Sequence, residues 1–359
     1  MTKTIIYLVL LALLGYGVYY FLFSEHDAFS TDEAGFKITD TGSITKIFLA
    51  DKNGNTILLE RKAGGWVLDN KYPAMPAPVN TLLQTLATQN ASYPVPSTMH
   101  NNIIKILAAT GIKVELYRKD GEKYRVFYVG GQANNLEGTY MLMEGSEKPF
   151  VVQVPGFEGY LTPRYSTQFA DWRDRTICNI PREELKTVTV KYNGTPLNSY
   201  TVIQKDTGNI VVEVDAALMQ GQTFNKRRAH VYTGFFENLY HEGYINGTIK
   251  LDSVIKSVPK MCSIDVAGTK GQAQHIEVYW MPINRRSKNM LTPAPGLPEN
   301  YDADRFYAVI NNFKDTVIIQ RGTFDKVLRK AYEFYQPDDT TVHKQLYEKG
   351  TGSFQLHPH

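Results

Sequence analysis

The spacing of apolar and polar residues changes most sharply near the start of the chain. Residues 5–23 are nineteen in a row without a charge, a proline or an amide side chain. At about 1.5 Å of rise per residue, a helix of this length crosses a hydrocarbon core of ~30 Å. The run is longer than the core of a signal peptide, and no pair of small residues follows it directly. We therefore expect residues 1–23 to form an uncleaved transmembrane anchor, with a cleaved signal peptide and a buried core helix as alternatives.

The charges around this run indicate its orientation. Lys3 precedes it, whereas Glu25 and Asp27 follow it. Positive residues favour the cytoplasmic side, so we expect the remaining bulk to lie outside the cytoplasm. Within the run, Gly15 and Gly17 are candidates for close contact with a partner helix, and tolerance in a lone anchor is the alternative. Residues 24–35 are expected to form a short polar tether.

Beyond the tether, apolar residues first alternate and then take a helical spacing. Ile47 and Leu49 alternate with polar positions ahead of the turn signal Asn53-Gly54, which predicts a hairpin. Apolar residues of 76–89 recur at helical spacing, and residues 103–107 indicate a second short helix. Further strands are predicted at residues 56–61, 66–68, 112–117, 124–129, 140–143 and 150–154.

The same succession returns in the second half of the chain. Residues 185–191 alternate ahead of Asn193-Gly194, a turn signal like the first one. A helical segment is predicted around Val231, Phe235 and Leu239, a short helix at residues 252–258 and a final helix at residues 323–335. Strands are predicted at residues 200–204, 210–214, 262–266, 275–280, 306–310 and 317–320.

These matching successions predict an α+β fold of two similar units, each an antiparallel meander with packed helices. We place the units at residues 36–172 and 183–336, joined by a linker at 173–182 and followed by a polar tail at 337–359. Each unit is long enough to bury one face of its own sheet beneath its helices.

The two halves differ most at residues 282–300, a proline-rich segment that exists only in the second half. It carries the basic cluster Arg285, Arg286 and Lys288. A long, stiffened, basic loop on a scaffold is a candidate for contact with a partner, and a solvated insertion without function is the alternative.

A second dense group of charges lies where the two units join. Asp171, Arg173, Asp174 and Arg175 surround Trp172. We expect these five residues to act as an inter-repeat clamp, either lining a groove or pinning the linker through ion pairs.

Composition narrows the possible chemistry. The net charge is +3, with both signs well mixed, which disfavours a dedicated nucleic-acid binder. The two cysteines, Cys178 and Cys262, are either buried free thiols or a disulfide. The sequence contains no Gly-rich phosphate loop, no nucleophile elbow and no zinc motif. We therefore expect no cofactor, no metal site and no catalytic residue.

Several of these features together resemble a known family. They are the apolar anchor, the segment Ile44-Thr45-Lys46-Ile47, the Asn53-Gly54 turn, the strand end Gly65-Trp66-Val67, the run Tyr72-Pro73-Ala74 and the helix segment Leu82-Leu83-Gln84-Thr85-Leu86. The chain resembles the domain-of-unknown-function family 4340, best over residues 36–175. That resemblance implies a membrane-anchored, repeat-built protein of the bacterial envelope, associated with ABC-type transporters of the gliding-motility class. It implies no catalytic residues.

We therefore expect a non-catalytic accessory protein, anchored in the bacterial inner membrane by a single pass, with its bulk in the periplasm. Its partner would be a membrane protein complex of the transporter or secretion type, and the identity of any small-molecule ligand stays open. A hydrolase acting on a glycan or peptide in a groove between the repeats is the alternative, and a structural spacer is a third hypothesis.

Overall fold

The computed structural model describes Leu14, Tyr16 and residues 34–335, apart from residues 120, 135–136, 207, 219–222, 246–256, 290–299 and 312–313. The chain divides into two compact units, one ending at Asp174 and the other beginning at Arg175. In the described part of the chain, no helix has the length and apolar character needed to cross a bilayer. The polar tail lies outside the described residues. So does the expected anchor, apart from Leu14 and Tyr16.

The first unit is built on an antiparallel sheet of nine described strands. The strands are β1 (Lys46–Ala50), β2 (Thr56–Lys62), β3 (Gly65–Leu68), β4 (Tyr72–Pro73), β5 (Asn90–Pro94), β6 (Ile112–Tyr117), β7 (Lys123–Gln132), β8 (Thr139–Met143) and β9 (Phe150–Gln153). Their spatial order is β4-β3-β2-β1-β6-β7-β8-β9-β5.

The first hairpin forms as the alternation predicts. Ile47 and Leu49 are fully buried on one face of the sheet. In the turn, the Asp51 carboxylate accepts the backbone N–H groups of Asn53 and Asn55 at 2.9 and 3.0 Å. Gly54 adopts a φ of 86°, in the left-handed region that a residue without Cβ enters at little cost. The predicted Asn-Gly hairpin is therefore confirmed.

Helices cover both faces of this sheet. Helix α1 (Pro76–Thr88) buries Val79, Leu82 and Leu86 in the main core. Helix α2 (Ser97–Thr110) buries Ile103 and Leu107 in a smaller cluster on the opposite face. The short helix α3 (Phe169–Trp172) adds its tryptophan to the main core. Because successive strand residues point to opposite faces, β8 contributes alternately to the two clusters.

The second unit contains an antiparallel sheet of eight described strands and a separate two-stranded pair, β10 with β14. The strands are β10 (Thr176–Cys178), β11 (Leu185–Tyr192), β12 (Tyr200–Asp206), β13 (Asn209–Glu213), β14 (Leu239–Tyr240), β15 (Gly243–Tyr244), β16 (Lys260–Gly268), β17 (Ala273–Pro282), β18 (Tyr301–Ile310) and β19 (Asp315–Gln320). The large sheet has the order β13-β12-β11-β16-β17-β18-β19-β15. Its helices are α4 (Lys226–Thr233) and α5 (Arg321–Phe324).

Aromatic side chains fill much of the second core. The rings of Tyr200 and Tyr232 meet edge to face at 5.8 Å, and Phe334 packs against both. The two hydroxyl oxygens lie 2.8 Å apart, and each is within 3.1 Å of the Val327 carbonyl oxygen. These hydrogen bonds satisfy polar atoms that would otherwise have no partner in the apolar core.

Seven strands follow one another in the same spatial order in both units. In the first unit the order is β3-β2-β1-β6-β7-β8-β9, and in the second it is β13-β12-β11-β16-β17-β18-β19. Each set is a three-strand meander followed by a four-strand meander. The expected mixed α+β fold with large antiparallel sheets is therefore confirmed.

Two predicted helices of the second unit are wrong in part. Helix α4 ends at Thr233, and Leu239 lies instead in β14, because that strand pairs with β10. The helix predicted over residues 323–335 is replaced by α5 and a 3₁₀ turn at Ala331–Tyr335. Between them, the Val327 carbonyl accepts tyrosine hydroxyls rather than continuing a helix. The predicted helix at 252–258 lies outside the described residues except for Ser257 and Val258.

Candidate functional site

One end of the first sheet gathers cationic and aromatic side chains. Strand β1 begins at this end with Lys46, and β6 ends there with Tyr117. The two residues are direct partners in the antiparallel register, and Tyr117 is also paired with Lys123 of β7. Residues far apart in the sequence therefore meet here because neighbouring strands start and finish at the same level.

Aromatic rings contact most of these cations. The ammonium nitrogen of Lys46 lies 4.0 Å from the ring centre of Tyr117. The guanidinium carbon of Arg118 lies 3.5 Å from the ring centre of Tyr124, and that of Arg125 lies 5.2 Å from the same ring. Stacking of this kind holds a cation in place without neutralising its charge.

A third stacked pair lies on the adjacent strands. The Arg61 guanidinium carbon is 4.8 Å from the Trp66 ring centre, and these residues are paired across β2 and β3. Arg61 also donates to the backbone carbonyls of Ile44 and Thr41, each at 3.0 Å. We call Lys46, Arg61, Arg118, Lys119 and Arg125 the basic end. In the described part of the chain, no carboxylate forms a salt bridge with any of these five cations.

An open depression of about 480 Å³ adjoins the basic end. Its lining residues are Asp40, Gly42, Ser43, Arg118 and Lys119. Asp40 fixes one wall, since it accepts the backbone N–H of Ser43 at 3.2 Å and its own carbonyl accepts the Ser43 hydroxyl. The depression therefore presents two cationic side chains and one carboxylate that is already hydrogen-bonded.

Next to this end lies Glu115, whose nearly buried carboxylate has three close polar partners. It accepts the Tyr117 hydroxyl at 2.5 Å and the ammonium groups of Lys113 and Lys123 at 2.9 and 3.1 Å. Burial raises the pKa of Glu115, but these hydrogen bonds outweigh it and set the pKa at about 2. The carboxylate is therefore ionised at neutral pH and serves as a fixed acceptor.

The second sheet carries a similar arrangement around Glu277. This carboxylate accepts the Tyr279 hydroxyl at 2.6 Å and the Lys260 ammonium at 2.9 Å. Burial raises the pKa of Glu277, and the two hydrogen bonds lower it below its ordinary value overall. His275 lies between Asp265, at 2.5 Å from Nδ1, and Glu277, at 3.9 Å from Nε2. In both units a Glu-x-Tyr segment supplies the acid and its hydroxyl donor.

The basic cluster of the predicted contact loop divides into two parts. Arg286 donates to both carboxylate oxygens of Asp302, at 3.1 and 2.9 Å, and Asp302 is 1% exposed. Arg285 and Lys288 are both exposed. Asn284 closes the local turn by accepting the backbone N–H groups of Arg286 and Ser287. The start of the loop is therefore fixed, and all three cations are exposed, with Arg286 held by its ion pair.

The five residues of the predicted clamp are divided between the units. Trp172 is buried in the first core, where its Nε1 donates to the Ser166 carbonyl at 2.8 Å. The Arg173 guanidinium lies 4.1 Å from the ring centre of Tyr72.

The other members of the predicted clamp make contacts within their own units. Asp171 accepts the Ser166 hydroxyl, and the Asp174 backbone N–H bonds to Pro73. In the second unit, Arg175 donates to the Glu242 carbonyl at 2.9 Å. Each of these contacts joins residues of the same unit.

The remaining sequence predictions concern two glycines of the anchor, the two cysteines and metal ligands. Gly15 and Gly17 lie outside the described residues. Cys178 and Cys262 are buried free thiols. Across the ranges that the structure describes, no three His, Cys, Asp or Glu side chains come together as metal ligands could.

Sequence reasoning missed the basic end and both glutamate clusters. The Glu-x-Tyr spacing puts the two side chains on the same face of a strand, which is a weak local signal for the clusters. The basic end has no such signal, because it depends on the register between Lys46 and Tyr117, which are far apart in the sequence.

Comparison with protein families identifies part of the chain. Residues 66–227 match the model of a domain of unknown function, DUF4340. The resemblance expected from the sequence is therefore confirmed over these residues. The match runs from β3 of the first unit to the start of α4 in the second. No curated protein matches the chain. No solved structure matches it either.

Proposed function

We propose that this protein is a non-catalytic accessory component of a bacterial envelope complex. The anchor expected over residues 1–23 holds it in the inner membrane, and the two units lie in the periplasm. Its partner is a membrane complex of the transporter or secretion type, which it contacts through the loop that begins at Pro282.

One observation carries the choice of contact site. The ion pair between Arg286 and Asp302 fixes the start of the loop, while Arg285 and Lys288 remain exposed on it. Cations presented on a fixed base lose less conformational freedom on binding than cations on a free segment. This arrangement favours recognition of an acidic surface on the partner.

The state of the carboxylates supports a role without catalysis. The pKa is lowered for four acids, each of which accepts hydrogen bonds: Asp51, Glu115, Glu184 and Glu277. A glycosidase-type general acid needs a raised pKa so that it carries a proton near neutral pH. These four side chains are suited to holding structure rather than to donating protons.

The shared strand order supports a further part of the proposal, namely that the two units are copies of one ancestral α+β module. Seven strands in the same order, in two sheets of the same chain, would follow directly from duplication.

Purification of the full-length protein from native detergent tests the proposal. We expect a membrane protein to co-purify with the wild type and to be reduced at least about tenfold by Arg285→Glu with Lys288→Glu. Lys186→Glu with Lys205→Glu is the matched control, because both lysines are exposed in the same unit. Recovery of the wild-type protein alone, or an equal loss in the control, would contradict the proposal.

A further inference from the structure

The basic end of the first unit gathers five cations that form no salt bridge in the described part of the chain, although the Asp40 carboxylate lines the adjoining depression. In the described residues, aromatic rings or backbone carbonyls contact four of its five cations, and carboxylates contact none. Arg61 and Lys119 are exposed, and the others are half-buried. A folded surface that keeps several positive charges outside salt bridges is suited to an anionic partner.

The second unit lacks this excess at the equivalent end of its sheet. There, in the turn between β16 and β17, Lys270 donates to Glu184 at 2.5 Å. Gln272 donates to the other carboxylate oxygen of Glu184 at 2.7 Å. A carboxylate therefore pairs with the lysine at this end of the second sheet, whereas in the described part of the first unit no carboxylate forms a salt bridge with the five cations of the basic end.

We propose that the basic end docks on anionic lipid headgroups of the membrane that carries the anchor. This inference rests on the anchoring in the proposed function. The surface combines stacked Lys and Arg side chains with Trp66, Tyr117 and Tyr124. Cations attract anionic headgroups, and tryptophan and tyrosine favour the boundary between water and lipid because they are amphipathic.

The position of the basic end along the chain favours lipid over a diffusible anion. The wall of its depression is formed by Asp40, Gly42 and Ser43, which follow shortly after the expected tether. A chain from residue 23 to residue 40 extends at most about 60 Å. The anchor therefore keeps this surface within reach of the bilayer at a high effective concentration, so weak attraction by each cation suffices for docking.

Energy transfer to headgroup-labelled lipid measures the docking directly. The full-length protein is reconstituted into vesicles of phosphatidylcholine, with or without phosphatidylglycerol, and labelled at Ser43→Cys or at Asn53→Cys. Ser43 adjoins the depression, whereas Asn53 lies in the turn at the opposite end of the same sheet. The native thiols are buried and do not compete for the label.

We expect stronger energy transfer from position 43 than from position 53 on anionic vesicles, and a smaller difference on neutral ones. Arg118→Glu with Lys119→Glu should reduce the difference at least about threefold, as should high salt. Lys52→Glu with Lys105→Glu makes the same charge change elsewhere in this unit and should preserve it. If the double variant does not fold, as judged by circular dichroism, Lys119→Glu alone is measured, because its side chain is exposed.

Equal energy transfer from the two positions on anionic vesicles would overturn the proposal. Loss of the difference on addition of polyglutamate, at a charge concentration equal to that of the lipid, would overturn it in favour of an acidic polypeptide. Failure of anchoring is a separate outcome, since the protein would then not float with neutral vesicles. In that case docking predicts salt-sensitive flotation with anionic vesicles that Arg118→Glu with Lys119→Glu abolishes, and the absence of such flotation contradicts it.

Discussion

The Arg286 guanidinium donates to both carboxylate oxygens of Asp302, at 3.1 and 2.9 Å, at the point where β17 ends and β18 begins. Asp302 is almost completely buried and also accepts the backbone N–H groups of Asp304 and Arg305. One carboxylate therefore fixes a loop and the start of a strand. In the proposed function, this pair holds Arg285 and Lys288 in place.

Asp302→Ala should lower the free energy of unfolding by about 3 kcal/mol, because it removes a buried acceptor from a cation and two backbone donors. Chemical denaturation of the second unit measures this. Asp304→Asn is the control and should cost less than about 0.5 kcal/mol, since Asp304 is half exposed and lies 3.8 Å from Arg286. Equal effects of the two changes would show that Asp302 does not organise the loop.

The Glu115 cluster should make the first unit sensitive to acid. The pKa of Glu115 is about 2 in the folded protein, compared with about 4.5 for the free side chain. Because the folded value is the lower one, the stabilisation is complete above pH ~4.5 and is lost as the pH falls towards 2.

Unfolding free energies of the wild type and Glu115→Gln should therefore differ at neutral pH and converge between pH ~4.5 and 2. Denaturant titrations at several pH values measure the difference. Glu158→Gln is the control, because Glu158 is an exposed acid of the same unit. A difference between wild type and Glu115→Gln that stays constant down to pH 2 would contradict the role of the cluster.

Alanine substitutions at two glycines of the first unit distinguish the cost of backbone strain from the cost of steric crowding. Gly138 and Gly145 have φ values of 81° and 82°, so alanine is strained at both. At Gly138 an added Cβ would lie 2.8 Å from the Val152 carbonyl oxygen, whereas at Gly145 nothing lies within 4 Å. Gly145→Ala should cost about 1 kcal/mol, and Gly138→Ala should cost at least about 2 kcal/mol more. Equal melting temperatures for the two variants would contradict the close packing at Gly138.

The two thiols should be unreactive in the folded protein. Burial raises the pKa of Cys178 to about 11 and that of Cys262 to about 12, so little thiolate forms at neutral pH. Iodoacetamide should therefore label both only after denaturation without reductant, as mass spectrometry can count. Labelling that requires reduction would instead indicate a disulfide between them.

Local patterns predict most of the fold. The alternation of Ile47 and Leu49 fixes β1, and the helical spacing of Val79 and Leu82 fixes α1, because each signal lies within one element. Leu239 lies in a strand and not in the predicted helix, because this strand forms only by pairing with β10, which lies more than sixty residues earlier. Local sequence carries no trace of that partner.

The candidate sites, too, could be predicted only where the signal is local in the sequence. The exposed pair Arg285 and Lys288 could be predicted from a basic, proline-rich run, whereas the burial of Asp302 beside Arg286 depends on tertiary packing. The basic end escaped prediction entirely, because its cations come from four strand ends that meet only in the folded sheet.

Photo-crosslinking from the contact loop tests the central claim most directly. A photoreactive amino acid replaces Arg285 in the full-length protein, in cells that produce it, and Lys186 is replaced in the same way as the control. The account predicts a single dominant adduct with one membrane protein from position 285 and none from position 186. It also predicts that Asp302→Ala weakens the adduct, because the loop loses its fixed base. No adduct from position 285 above that from position 186 would contradict the claim that this protein serves a membrane complex through this loop.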